Sequence, residues 1–156
     1  MAELGLCEVK DFTVYHVYIP NKFYDIKIGD INYTKDLPSR RYSCGYKSCI
    51  ENSAEEERER CFPNYPSRLQ CLFVCNKQYV KYWFNYFQKR NQECGIFPQI
   101  YELQVSGKIY WSYAELLRSN VYWKINILQN LQEHEGLLEG EYTVIRKCQP
   151  YEFADK

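Results

Sequence analysis

The sequence predicts an α+β fold, on three observations. Segments of alternating apolar and polar residues recur along the chain, amphipathic helical segments stand between them, and the two types mix without a regular strand–helix–strand repeat. At 156 residues the chain suits one domain, 1–156, with a core that needs no metal or disulfide to hold it.

The first strand is read in "DFTVYHVYIP", rich in β-branched and aromatic residues and closed by Pro20. Its alternation puts Phe12, Val14, His16 and Tyr18 on one face. "FYDIKIGDI" adds a short strand ending near Gly29, and residues 34–52 read as a surface excursion. "SAEEERER" then opens a helix, because Ser53 and Glu56 have capping-box spacing and acidic side chains suit a positive helix N-terminus. Pro63 and Pro66 stop that helix near Phe62.

A second strand is expected from Arg68 to Cys75, with Leu69, Cys71, Phe73 and Cys75 on one face. Asn76 is placed to cap the helix "KQYVKYWFNYFQKRNQ", whose apolar stripe runs through Val80, Trp83 and Phe87. Gly95 ends it, and Pro98 precedes the strand "QIYELQV", which alternates Tyr101, Leu103 and Val105. Ser112 and Glu115 repeat the capping-box spacing, a last helical piece covers about 121–132, and "EGLLEGEYTVIRKC" supplies terminal strand.

Composition narrows the function classes. Twenty acidic and twenty basic side chains balance, so no global field attracts nucleic acid. A transmembrane run of about 18 apolar residues is missing, and "MAELGLCEVK" lacks the regions of a secretory signal, so the expected address is the cytoplasm. Eight cysteines are irregularly spaced. Cys44 and Cys49, with Cys61, do not complete a zinc pattern, and the thiols are expected reduced and buried, with no metal. Sixteen tyrosines either fill a Tyr-rich core or line a cleft.

Phosphate-loop, dinucleotide-binding, nucleophile-elbow and zinc-protease signatures are absent. Three polar positions remain. His16 lies mid-strand in "VYHVY", either a satisfied structural residue or a ligand group. Arg68 fronts an apolar run, either as a solvated strand end or as an anion ligand. Glu133 and Glu135 flank His134 in "QEHEGLL", either on a solvated turn or sharing one strand face.

"VYHVYIPNKFYDIKIGDI", "EEERERCFPNYPSRLQCLFVCN" and "HEGLLEGEYTVI" follow the order seen in a family of uncharacterised bacterial domains, over residues 14–146. That layout in turn resembles the ADP-ribosyltransferase superfamily, with a His or Arg on the first core strand, a Ser or aromatic element on a middle strand and a Glu on a later one. The resemblance implies a bent, split β-sheet core flanked by helices, with NAD as co-substrate. It implies Glu135 as the catalytic carboxylate and Glu133 as the group that engages the acceptor, with Glu139 and Glu141 as a second Glu-x-Glu pair able to take those places. It also implies NAD contacts from His16, Ser67, Arg68, Tyr18 and Tyr101, with Tyr15 another aromatic that could stack on nicotinamide. His16 would bond the adenosine ribose or a nearby backbone group, and Arg68 would meet the pyrophosphate or brace the acidic residue. "SGKIYWSY" departs from the related domains by lacking an Asp after the Tyr-Glu strand. The implied partner is a macromolecular acceptor, protein or nucleic acid. The alternative is a non-enzymatic module, phage or mobile-element encoded, that binds a host or defence protein through Tyr-rich surface.

Overall fold

The computed structural model describes residues 5–20, 26–39, 48–119, 121–124 and 132–153. They form an α+β fold around an open antiparallel sheet of five strands: β1 (Leu6–Tyr18), β2 (Ile31–Tyr33), β3 (Leu72–Val74), β4 (Gln99–Tyr113) and β5 (His134–Cys148). Two α-helices are described, α1 (Ser48–Cys61) and α2 (Val80–Arg90).

The strand order is β1-β4-β5-β2, and β3 shares the outer edge of β5 with β2. β3 takes the first part of that edge, Leu72 opposite Leu138 and Val74 opposite Gly136. β2 takes the later part, Ile31 opposite Thr143. Just past β3, Cys75 and Tyr15 exchange backbone hydrogen bonds of 2.9 and 2.8 Å, which tie that edge back to β1.

The long β4–β5 pair runs from Ile100–Cys148 to Tyr113–His134, and Gly107 meets Gly140 midway. At φ +138° Gly107 adopts backbone that L side chains avoid, and a Cβ there would collide with the Glu139 carbonyl oxygen. Glycine is required because the two strands approach closely at this point.

One face of the sheet carries a core of Val14, Leu72, Val74, Leu103, Val105, Ile109, Leu138 and Val144 with Tyr18, Tyr101 and Tyr142. A second cluster gathers Tyr65, Cys71, Tyr110, Leu116, Tyr122, Trp123 and Leu137. Val80 and Trp83 of α2 pack into a third with Tyr15, Cys75, Ile100 and Cys148, and Phe87 packs against it. The alternation read for Tyr101, Leu103 and Val105 and the α2 stripe both stand.

Four local expectations need correction. The strand read from Arg68 begins at Leu72, because residues 67–70 form a turn in which the Gln70 amide donates to the Ser67 carbonyl at 3.1 Å. α1 starts at Ser48, so Ser53 lies inside the helix and 48–52 is no surface excursion. Ser112 belongs to β4 and its hydroxyl donates to the Tyr122 carbonyl, so it caps nothing. Asn76 precedes a short 3-10 turn and makes no side-chain capping bond. Of the proposed helix over 121–132, residues 125–131 lie outside the described residues, and 121–124 form a turn.

Among the described thiols, Cys71, Cys75 and Cys148 are buried, whereas Cys7, Cys49 and Cys61 are exposed, which corrects the expectation of uniform burial. Cys44 lies outside the described residues. No described helix is long and apolar enough to cross a membrane.

Candidate functional site

α1 carries a buried polar face. Glu55 is almost wholly buried, and Glu51 lies one helical turn before it. Helix-breaking Pro63 and Pro66 turn the chain back along α1 and deliver Ser67 and Arg68 to these two carboxylates. The Ser67 hydroxyl donates to Glu55 Oε2 at 2.6 Å. Arg68 Nε donates to Glu51 Oε2 at 2.7 Å and Nη2 to Glu51 Oε1 at 3.0 Å, the planar fork that guanidinium makes with carboxylate. Arg58 completes the clip, bonding Glu55 and donating to the Tyr65 carbonyl at 3.0 Å. The "PSR" element therefore reads two glutamates on one helix face.

The other side of Arg68 faces the sheet. Its Nη1 donates to Glu135 Oε1 of β5 and to the Tyr122 hydroxyl, the latter at 2.9 Å. The Tyr122 hydroxyl in turn donates to Glu135 Oε1 at 2.9 Å, closing a triangle. Tyr122 is aimed by its backbone, since its carbonyl accepts from the Tyr110 hydroxyl at 2.6 Å and the Ser112 hydroxyl at 2.8 Å. The Arg68 guanidinium carbon also sits 4.9 Å from the Phe73 ring centre and 5.0 Å from that of Tyr122.

Electrostatics fix the protonation states. Burial alone would lower the Arg68 pKa, but Glu135, Tyr122 and Glu51 together hold it well above its ordinary value. Burial and the Glu135 charge push the Tyr122 phenol well up, so it stays neutral. Glu135 Oε1 takes two donors, while Oε2 takes none from a described residue. Among the described residues the one fully buried side-chain polar atom without a partner is His134 Nδ1. The cluster thus holds a carboxylate with one oxygen anchored by two donors and the other without a described donor.

The remaining site residues of the sequence reading fall elsewhere. His16 is buried on β1 with Nδ1 2.7 Å from the carbonyl oxygen of Phe73, the residue whose ring lies beneath Arg68. Tyr18 and Tyr101 are core residues in edge contact, and the Tyr101 hydroxyl donates to Gln99 at 2.6 Å. Tyr15 is buried against Phe153. The Glu133 amide donates to Glu115 Oε1 at 2.6 Å, at the strand end beyond His134. Glu139 lies beside Lys108 at 3.8 Å, and Glu141 opposite Ser106. Ser112, not an Asp, occupies the β4 position opposite Glu135.

Residues 15–150 match a family model described as "Protein of unknown function (DUF2441)". The chain belongs to the DUF2441 family. The match embraces every residue of the cluster, from Glu51 to Glu135, and carries no activity with it. No curated protein matches the chain.

Two members of the cluster escaped the sequence reading. Glu51 fell in a segment taken for a surface excursion, although Glu51, Glu55 and Arg58 at helical spacing ahead of "PSR" are the signal that finds it. Tyr122 has no local signal among sixteen tyrosines.

Proposed function

We propose that the chain is an NAD-dependent ADP-ribosyltransferase-like enzyme that transfers ADP-ribose to a macromolecular acceptor, or hydrolyses NAD when water takes the acceptor's place. The observation that carries this reading is the pairing of Glu135 with Arg68, in which Oε1 takes both described donors and Oε2 takes none from a described residue. The two short strands β2 and β3 that divide one edge of β5, and the close glycine contact at Gly107 and Gly140, suit the bent, split core expected of that superfamily.

The chemistry needs a fixed negative charge beside a ribose carbon. As the bond from ribose C1′ to the nicotinamide nitrogen breaks, nicotinamide leaves with the bonding pair and C1′ becomes oxocarbenium-like. Oε2 of Glu135 stabilises that positive charge, and Arg68 and Tyr122 hold the carboxylate so that it needs no reorganisation. The acceptor or water then bonds to C1′ and gives up a proton. Of the two roles considered for Arg68, bracing the glutamate suits its geometry, because its Nε, Nη1 and Nη2 all donate within the cluster. His16 fits the backbone alternative, holding the β3 carbonyl of Phe73. Incubation with NAD labelled at the adenylate phosphate tests the reading. Label on a macromolecule, or free ADP-ribose, is expected; intact NAD after long incubation with cell extract would sink it.

A second reading, an interaction module for a host or defence protein, draws on the β2 edge. Ile28 and Ile31 are 60% and 61% exposed there, with Tyr33 and Ile145 also exposed. On that reading Ile31→Lys abolishes partner capture and Glu135→Gln leaves it intact.

A further inference from the structure

Arg68 shares its donors unequally. Two nitrogens, Nε and Nη2, engage both oxygens of Glu51, while Nη1 alone serves Glu135 and Tyr122 together. Among the described residues two carboxylates therefore face the Arg68 guanidinium and a neutral phenol, and the bidentate partner is the one on α1. Had Glu135 taken the fork, both its oxygens would be occupied and its charge matched. The side chain of Glu51 is 14% exposed and that of Arg68 9%, so the fork is largely shielded from water. A fork of this kind sets the plane of the guanidinium as well as its position.

We infer that Glu51 is a positioning residue for the site: by taking the fork of Arg68 it orients the guanidinium and leaves Nη1 to serve Glu135 through Oε1. A carboxylate held through one oxygen meets a developing cation better than one held through both by a guanidinium fork. The catalytic consequence rests on the transferase reading above. The orientation of Arg68 can be measured without any turnover.

The Arg68 Nε–H group reports on Glu51 directly, because Nε bonds Glu51 and Nη1 bonds Glu135. In nitrogen-15-labelled protein the Arg68 Nε–H signal is expected to persist against solvent exchange in the wild type and in Glu135→Gln. It is expected to weaken in Glu51→Gln, which keeps one acceptor oxygen for two donors, and to be lost in Glu51→Ala. Glu51→Asp keeps the charge on a shorter arm and should shift the signal without losing it. A wild type with no protected Nε–H, or equal loss in Glu135→Gln and Glu51→Gln, overturns the role. Should Glu51→Gln not fold, Glu51→Asp decides, and a signal unchanged from wild type overturns the role.

Turnover provides the second readout. Glu51→Gln should lower kcat for NAD by roughly 10- to 100-fold with little change in KM, the signature of a misplaced transition-state group. Glu51→Asp should recover part of the loss. A raised KM at unchanged kcat overturns the role. If the wild type does not turn over NAD, the transferase reading fails, and the Nε–H signals still decide whether Glu51 orients Arg68.

Discussion

Arg68 and Glu135 stand 67 positions apart in the chain and meet as an ion pair, each side chain about nine-tenths buried. Neither charge is stable there alone. Taking one from water costs several kcal/mol unless a partner and further hydrogen bonds compensate. Glu51 and Tyr122 supply those bonds, so the turn after α1, the turn at 121–124 and the start of β5 are held to a common point.

Replacing Arg68 by Met is expected to destabilise the fold by about 3 kcal/mol, because it leaves two shielded carboxylates facing each other. Urea unfolding measures this. The double variant Arg68→Met with Glu135→Leu should recover part of the loss, since both buried charges are then gone from the pair. Equal stability of wild type and Arg68→Met would contradict the description of the cluster as tightly coupled.

Gly107→Ala should destabilise by at least about 2 kcal/mol, from unfavourable backbone and the collision with Glu139 across the strand pair. Gly95→Ala provides the contrast. Its φ is also positive, at +68°, but a Cβ there meets nothing within 4 Å, so its cost should be smaller. Thermal melts of the two variants side by side test the difference.

His134 makes stability pH-dependent. Its ring lies parallel to the Trp111 indole and against Tyr79 and Tyr113, and burial lowers its pKa below the ordinary 6.5. The unfolded chain therefore takes up the proton first as pH falls. This residue's contribution is neutral above about pH 6.5 and turns against the fold below it, until the folded-state pKa is passed. Denaturant midpoints should drop between neutral and mildly acidic pH, and His134→Gln should flatten that drop. An identical slope in the variant would remove His134 as the cause.

Gly136 supports the same stack. A Cβ there would lie 2.7 Å from Cζ3 of Trp111, so Gly136→Ala should push the indole off His134. Near-ultraviolet circular dichroism should report the change in the Trp environment, with little effect on the far-ultraviolet spectrum.

The sequence made the long elements plain and the joints opaque. Alternation through Val14, His16 and Tyr18 and through Tyr101, Leu103 and Val105 marks strands because one sheet face is continuously buried. The run from Arg68 to Cys75 misleads, since the side chains of Ser67 and Arg68 are committed to α1 and hold residues 67–70 in a turn. Both Ser-x-x-Glu patterns were read as helix starts, yet Ser53 lies within α1 and Ser112 serves the Tyr122 carbonyl. Local spacing carries no information about which long-range partner a hydroxyl will find. Arg68 and Glu135 were legible as site candidates, whereas Glu51 needed the helix register and Tyr122 needed the fold.

Release of nicotinamide from NAD by purified wild type and by Glu135→Gln is the most direct measurement. The substitution keeps shape and one oxygen for Arg68 and Tyr122 while removing the charge at Oε2, so the fold should survive and release should fall about 100-fold or more. Equal release by the two folded proteins, or none above buffer by the wild type, would contradict the role assigned to Glu135.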